Sequence, residues 1–530
     1  MKPILTMDFE TDPFRHGHVV KPFACGLYNG ENFDSTWGSK CAAKMVERLK
    51  RLPPSIIYMH NGGRFDIFFL IQWIEAEMKI INGRVVQCWL GQHEIRDSYA
   101  IFPMALAVYK KDEIDITKLH RDSREQHKPE ILSYLRGDCV YLHELVTGFI
   151  SEFGDFLTIG SAAMSELKKL HPFEHGTRYT DEKFRSQFFF GGRVQCFQSG
   201  IINQEFKIYD VNSMYPFVMQ NYAHPTGTDF TVDRAITRKT AFVIAEGHHN
   251  SSLPHRTRTG ISFSDSEGTF ACTIHEWNAA EQTGTFKVKR VLKTYNFDEW
   301  ISFGDFVEHF FNARLKAKRT KDRLKELFYK LILNSAYGKF AQNPDSFHDF
   351  AITHRQTMPE PWREHFIHAG GEYVIWKKGV TRHSYYNVAI GASITGAARA
   401  VLMRGLHGTD GLIYCDTDSI IGTQIRNVDF SETKLGAWKE EGSGDRIAMA
   451  GKKLYACFSK TNGQDLSSET VTMDGCQWSC IKKATKGARI SADEIVRVAQ
   501  GETVTFEKAA PTFKLDGRVE FISRRIKRTV

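Results

Sequence analysis

The sequence predicts a mixed α/β and α+β chain of several domains, and three observations lead there. At 530 residues the chain exceeds what one hydrophobic core serves, and the usual size range gives three or four domains or subdomains. Its first third alternates short apolar strands with helical periodicity. Further on, strands end in carboxylates or are interrupted by them: Asp210 follows Lys207-Ile208-Tyr209, and Asp416 and Asp418 sit between Leu412-Ile413 and Ile420-Ile421. Two adjacent acids in apolar surroundings are costly to bury without a cation, which makes this last stretch a candidate metal site. Taken alone, Asp416-Thr417-Asp418 is more often a solvated turn.

An apolar content of 42%, with 12% aromatics, is ample for packed globular structure. The net charge of +8 is mild for this length and excludes a polybasic-tail binder. Charge is clustered instead: Lys316, Lys318, Arg319, Lys321, Arg323 and Lys325 crowd together against Asp322 alone, and Arg524, Arg525, Lys527 and Arg528 crowd the C-terminus. Such runs suit a polyanion, although solvated faces look the same. The ten cysteines are scattered without zinc-site spacing, Cys476 and Cys480 included, and read as thiols in a reducing compartment. Asp8 and Glu10 arrive before any apolar run could make a signal peptide, and the run from Ile67 to Ile74 is too short to span a bilayer. A soluble intracellular protein with no membrane association is expected.

Ile4 to Thr11 reads as a strand whose i, i+2 spacing puts Asp8 and Glu10 on one face. A second strand, Ile56 to Met59, runs into His60-Asn61-Gly62-Gly63-Arg64-Phe65-Asp66, where glycines mark a turn and Asp66 stands near a helix start. Pro129 to Phe149 has helical periodicity, with Ile131, Leu135, Cys139 and Leu142 inward and Tyr134 and Asp138 neighbours on another stripe. Each residue has a plain structural reading as a strand end, a cap or a packed ring. Together the four acids could hold two metal ions that activate water against a phosphodiester, with Tyr134 orienting the water.

Phe188 to Arg193 contains Gly191-Gly192, which permits close backbone approach, and Arg193, which can meet a phosphate; the plain alternative is an interdomain turn. After the strand ending at Asp210 comes a polar turn and Tyr215, a flat ring suited to lie beneath a sugar. From Tyr222 to Gly304 short strand-like runs such as Ala241 to Ile244 alternate with polar segments, and His248 to Ser252 reads as a solvated loop. Asp305 to Arg319 and Lys321 to Lys339 look helical, with Thr320 able to cap the second. On that helix Lys330, Asn334 and Tyr337 form one stripe, suited to a triphosphate, a sugar and a base, while Leu324, Leu327, Phe328 and Leu331 supply the core side. Asn343 to Tyr386 lacks long periodicity and is long for a connector. Val388 to Leu406 is a small-residue helix placed beneath the acid-bearing sheet, and Lys453 and Tyr455 would share a strand face.

The series Asp8-Phe9-Glu10, Asn61-x-x-x-Phe65-Asp66 and Tyr134-x-x-x-Asp138 resembles the three exonuclease motifs of proofreading family B DNA polymerases. Lys207 to Pro216, Lys330 to Lys339 and Asp416-Thr417-Asp418 resemble polymerase motifs A, B and C of the same family, in the same order. The likeness covers nearly the whole chain and is greatest to the protein-primed, tectivirus-type bacteriophage enzymes. It implies a ribonuclease-H-like 3′-5′ exonuclease domain followed by a right-hand palm, fingers and thumb. The implied segments are residues 1–188 (exonuclease), 189–222 (first part of the palm), 223–304 (terminal-protein region 1), 305–341 (fingers), 342–386 (terminal-protein region 2), 387–485 (second part of the palm) and 486–530 (thumb).

The resemblance also implies roles. Asp8, Glu10, Asp66 and Asp138 would bind metal for editing, with Tyr134 and Lys110 assisting, Lys111 being adjacent. Asp210, Val211, Asp416 and Asp418 would bind metal for synthesis, with Asp210 and Asp418 bridging both ions and Asp416 assisting. Lys330, Asn334, Tyr337 and Lys318 would hold the incoming nucleotide, and Tyr215 would clash with a 2′-hydroxyl. Asn61, Phe65, Ser98, Gly191, Gly192, Arg193, Lys453, Tyr455 and Lys486 would contact DNA. The sequence departs from the family at Phe189 and Tyr99, where a tyrosine and often a leucine stand. Hard carboxylate ligands imply Mg²⁺, two per site, with Mn²⁺ as substitute. Implied partners are primer-template DNA, deoxynucleoside triphosphates, a terminal protein and a single-stranded DNA-binding protein, acting on a monomer in the cytoplasm of an infected bacterium. An exonuclease with an inactive polymerase module and a non-catalytic DNA-binding scaffold remain the rival readings.

Overall fold

The computed structural model describes residues 2–110, 112–258, 260–343, 348–354, 356–368, 371–379, 387–460, 469–488, 490–505, 511–514, 518–521 and 525–529. Lys111, Arg524 and the boundary residue Tyr386, all named above, lie outside these. No helix among the described residues is long and apolar enough to cross a membrane.

The N-terminal region is built on a ten-stranded sheet. Ile4–Thr11 pairs antiparallel with Pro22–Tyr28 and parallel with Ile56–Met59, which in turn runs parallel to His93–Asp97. Parallel strands need both faces covered. One cover is the helix Lys128–Phe153, whose Ile131, Leu135, Cys139 and Leu142 stripe is buried as its periodicity predicts. The Thr6 hydroxyl donates to the Cys139 carbonyl at 2.7 Å, tying that helix to the first strand. Gly63 follows the turn after Ile56–Met59 because a Cβ there would lie 1.9 Å from the Val85 carbonyl oxygen.

The described residues between 342 and 379 include three strands where the sequence showed no long periodicity. His348–Thr353, Arg363–Ile367 and Val374–Gly379 form antiparallel strands, and Phe350↔Met78 and Ala351↔Glu77 pairing adds them to the edge of the N-terminal sheet. Short runs of this kind carry little periodic signal, so the pairing is a tertiary outcome.

The second large sheet has eight strands. At its centre Gly200–Val211 lies between Trp438–Gly451 and Ser419–Gly422, and Ser419–Gly422 forms a hairpin with Tyr414–Asp416. Behind it the helix Val388–His407 is buried on almost every side. A Cβ at Gly405 would stand 2.5 Å from the Trp438 ring, so this helix lies directly under the acid-bearing sheet. Residues 223–304 fold as a four-stranded sheet with the helix Ile274–Gln282 across it. His248 and His249 belong to the strand Thr240–His249 rather than to a loop, and His249 is fully buried, its Nδ1 accepting from the Ser252 and Leu253 amides.

The helices Gly304–Arg319 and Arg323–Ser335 pack as an antiparallel pair, and a short third helix covers Tyr337–Phe340. Asp322, not Thr320, caps the second, accepting from the Lys325 amide at 3.0 Å. Thr320 turns its hydroxyl back onto Lys316 and Ala317 carbonyls of the preceding helix. Beyond residue 485 a capped helix, Ala492–Ala499, packs on Trp438–Gly451, and the hairpin Pro511–Phe513 with Val519–Phe521 reaches the loop between the first two strands.

Candidate active sites

Asp210 stands near the end of its strand beside Asp418, which sits in the hairpin turn, because Ser419, the next residue, pairs with Asp210 in register. The two acids line a cavity of about 410 Å³ together with Val211, Tyr215, Lys330, Asn334 and Tyr337, which the motif reading had already grouped. Tyr215 and Tyr337 stack at 3.8 Å with planes 10° apart, forming one flat aromatic wall. Burial, then Asp418, then Glu441 push Asp210 up to about 6, and burial raises Asp418 as well. Two half-buried carboxylates facing a polar cavity are a hard-oxygen donor set of the kind Mg²⁺ takes.

Asp416 is placed differently. The Tyr414 hydroxyl donates to its Oδ2 at 3.2 Å and the Thr417 hydroxyl to its Oδ1 at 3.1 Å, while Lys453 Nζ stands 3.2 Å from Oδ2. Both oxygens therefore have protein partners. Thr417 turns the hairpin with φ +59°. Gly192 is pressed against this turn: a Cβ there would be 2.6 Å from Thr417 Oγ1, and the Thr417 amide donates to the Arg193 carbonyl at 2.8 Å.

Several expected contacts are corrected. Arg193 is only 4% exposed and spends its guanidinium on Gln195 Oε1 beside the Phe197 and Phe263 rings, so it does not face a phosphate. Lys453 does not share a strand face with Tyr455; it occupies the turn before Leu454–Lys460 with φ +59°, and Tyr455 is buried against Tyr414. Lys318 is exposed near the end of its helix and does not line the cavity, whereas Arg314, one turn earlier, does. Lys486 is exposed in a turn with φ +50°.

In the N-terminal region ligand atoms of Asp8, Glu10 and Asp138 lie within 4.8 Å of one another. Burial and Asp138 push Asp8 up to about 8; burial, Asp8 and Asp138 raise Glu10. Asp138 is raised to about 6 by burial, against the pull of its hydrogen bond from Tyr134. Asp66 stands just before the short helix Ile67–Leu70 without a capping hydrogen bond and is raised by burial and then by Asp8; its Oδ1 is buried without a hydrogen-bond partner. An orphaned carboxylate oxygen beside three clustered acids fits a divalent cation.

Lys110 lies away from these acids, with its ammonium 2.6 Å from Glu144 and over the Tyr141 ring. Ser98 is fully buried and its hydroxyl is engaged with His60 and the Met59 carbonyl, which corrects its expected place on DNA. Tyr99 is the partly exposed neighbour. Arg84, which sequence reading missed, sits 4.1 Å over the Tyr99 ring and bonds Asn61 Oδ1 at 2.8 Å and Asp97 Oδ2 at 2.6 Å. Phe65 stands edge-on to Phe14 and Phe69. The available signal for Arg84 was a cation opening an otherwise apolar strand. For Arg314 it was membership of the basic run one turn before Lys318. Lys439, 3.7 Å from Asp210 and 2.8 Å from Glu441, had none beyond strand pairing.

Residues 107–375 match the family described as DNA polymerase type B, organellar and viral. The chain is 44% identical to the DNA-directed DNA polymerase of Enterobacteria phage PRD1 over 547 aligned residues, covering 99% of this chain and 98% of that one. It is 24% identical to the DNA polymerase of Bacillus phage phi29, over 75% of this chain and 77% of that one. The structure of phi29 DNA polymerase with primer-template DNA and incoming nucleotides superposes over the whole of both chains with a TM-score of 0.74 at 19% identity, which speaks to fold. That fold is an exonuclease domain followed by palm, fingers and thumb. The chain belongs to the type B DNA polymerases of organelles and viruses, and it is a DNA-directed DNA polymerase of the phage type.

Proposed function

We propose that the two acid clusters carry two reactions on DNA, templated nucleotidyl transfer in the palm and 3′→5′ hydrolysis in the N-terminal domain. The observation that carries the first is the 410 Å³ cavity in which Asp210 and Asp418 face Lys330, Arg314, Asn334 and the Tyr215–Tyr337 wall. Lys330 and Arg314 neutralise the triphosphate. Tyr215, backed by Tyr337, closes the space a 2′-hydroxyl would need. Asp210 and Asp418 are the primary cation ligands, because both oxygens of Asp416 are already engaged; Asp416 assists through the hairpin. Two Mg²⁺ ions held there would stabilise the attacking and leaving oxygens of phosphoryl transfer. Asp418→Asn should lower nucleotide incorporation on a primed template by about 10³-fold; normal incorporation would refute the assignment.

The editing reading rests on Asp8, Glu10 and Asp138 meeting within 4.8 Å beside the orphaned Asp66 oxygen. Tyr134, bonded to Asp138, is placed to orient a water. The double substitution Asp8→Ala with Asp66→Ala should abolish primer degradation and spare synthesis.

Initiation from a terminal protein, in the cytoplasm of an infected bacterium, is the second part of the proposal. The folded segments within 223–304 and 342–386, which interrupt the polymerase motifs, favour it. Incubating the enzyme with the cognate terminal protein, metal and each labelled deoxynucleoside triphosphate should label that protein with one of them; no label with any of the four counts against protein priming.

A further inference from the structure

A second cationic cavity, of about 280 Å³, opens at the end of the strand that bears Asp8 and Glu10. One wall is the loop joining Ile4–Thr11 to Pro22–Tyr28, with Arg15, His18 and Lys21; the other is the turn carrying His120 and Arg121. Asp12, the acid in its lining, is engaged by Arg124 at 2.5 Å, which also clamps the two walls together. Arg15, Lys21 and Arg121 have no carboxylate partner among the described residues. Three uncompensated cations held around one cavity repel each other, and the arrangement is stabilised by an anion.

The cavity is preformed. At its base Thr11 pairs with Pro22. At its tip the Gly17 amide donates to the Val519 carbonyl at 2.8 Å and the Val519 amide to the His18 carbonyl at 3.1 Å, so the C-terminal hairpin fixes the loop. The loop begins immediately beyond Glu10 on the strand that bears Asp8. Apart from its polar groups the lining is aliphatic, with two imidazoles as its sole aromatic rings, and offers no broad aromatic face for a base. Cations without a stacking platform suit phosphate groups rather than bases.

We propose that this pocket binds backbone phosphates of a single DNA strand, guiding it between the C-terminal hairpin and the acids Asp8, Glu10, Asp66 and Asp138. The proposal rests on the editing reading of those acids. The chemistry it recognises is a phosphodiester anion, which a free phosphate or a mononucleotide also approximates.

The test uses the full chain in EDTA, where strands stay intact, and a fluorescein-labelled oligothymidylate whose anisotropy is followed against KCl. Each phosphate contact to a single strand contributes about 0.7 to the log–log salt slope. The triple substitution Arg15→Gln, Lys21→Gln, Arg121→Gln should therefore flatten the slope by about 2 and weaken low-salt binding by about tenfold, with primer extension unchanged. The single Arg121→Glu guards against an effect peculiar to the triple variant and should act in the same direction. An unchanged slope in both variants overturns the proposal. Displacement of the oligonucleotide from the wild type, but not from the triple variant, by dTMP or inorganic phosphate overturns the strand assignment in favour of a small phosphate. Primer degradation by the wild type in Mg²⁺ is measured in parallel. Degradation with an unchanged slope fails the pocket alone; a flattened slope without degradation keeps the pocket and fails the editing reading.

Discussion

The two acid clusters of this chain solve the same electrostatic problem in opposite ways. In the N-terminal domain Asp8, Glu10 and Asp138 are brought together beside Asp66, and no ion pair between these acids and a lysine is formed among the described residues, Lys110 being engaged by Glu144. Burial and then the charge of Asp138 drive Asp8 up to about 8. In the palm the acids face cations: Lys439 near Asp210, Lys453 near Asp416, and Lys330 and Arg314 across the cavity. Asp210, less deeply buried and with Lys439 lowering it, rises to about 6. On the function proposed above, a bound cation or protons offset the charge of the first site, and the cations of the second serve the substrate.

The largest expected effect probes those substrate cations. Arg314→Ala should raise the KM for deoxynucleoside triphosphates by about tenfold, the worth of one charge-assisted hydrogen bond, and leave primer degradation unchanged. Lys318→Ala, outside the cavity, should stay within about twofold. Steady-state incorporation measures both, and the reverse order would put Lys318 rather than Arg314 on the phosphates.

A smaller effect is expected when the palm is made to resemble the other site. Lys439→Ala removes the ammonium beside Asp210 and Glu441, so the Mg²⁺ needed for half-maximal incorporation should fall by about threefold. A rise instead would mean that Lys439 assists metal or nucleotide binding rather than competing with metal.

The smallest effect separates the clusters by pH. A carboxylate whose folded pKa is raised binds its proton more tightly in the folded state, so its contribution to stability is present at low pH and is lost as pH rises through the folded value. For Asp138 that loss is complete by about 6, whereas for Asp8 it continues up to about 8, so of the two Asp8 carries it in the window from about pH 6 to about pH 8. In EDTA the thermal midpoint should drop by a few degrees over this window. Mg²⁺ should restore it more at pH 8 than at pH 6, and Asp8→Asn should raise the metal-free midpoint at pH 8. A midpoint insensitive to both pH and Asp8→Asn would show that the N-terminal acids do not repel each other as placed.

Much of both sites was legible because their chemistry is local. Asp8 and Glu10 share a strand face, and Lys330, Asn334 and Tyr337 share a stripe, as periods of two and of 3.6 residues dictate; Asp66 stands at a helix start, as the glycine turn before it suggests. Lys453 was misread because a turn with positive φ intervenes where a continuous strand was expected. Ser98 and Arg193 were misread for another reason: their residue types suit DNA, but partners at Met59, His60 and Gln195 use them inside the protein.

By itself the sequence determined the class of fold, the order of the acids along the chain and the kinds of side chain available to each reaction, because these depend on composition and short-range periodicity. Only the tertiary structure decided which cations face which acids. It made Arg314, Lys439 and Arg84 neighbours of the sites, joined residues 348–379 to the N-terminal sheet and turned Ser98 and Arg193 inward. Those outcomes rest on pairing and packing between segments far apart in the chain, and no local pattern encodes the register in which distant strands meet.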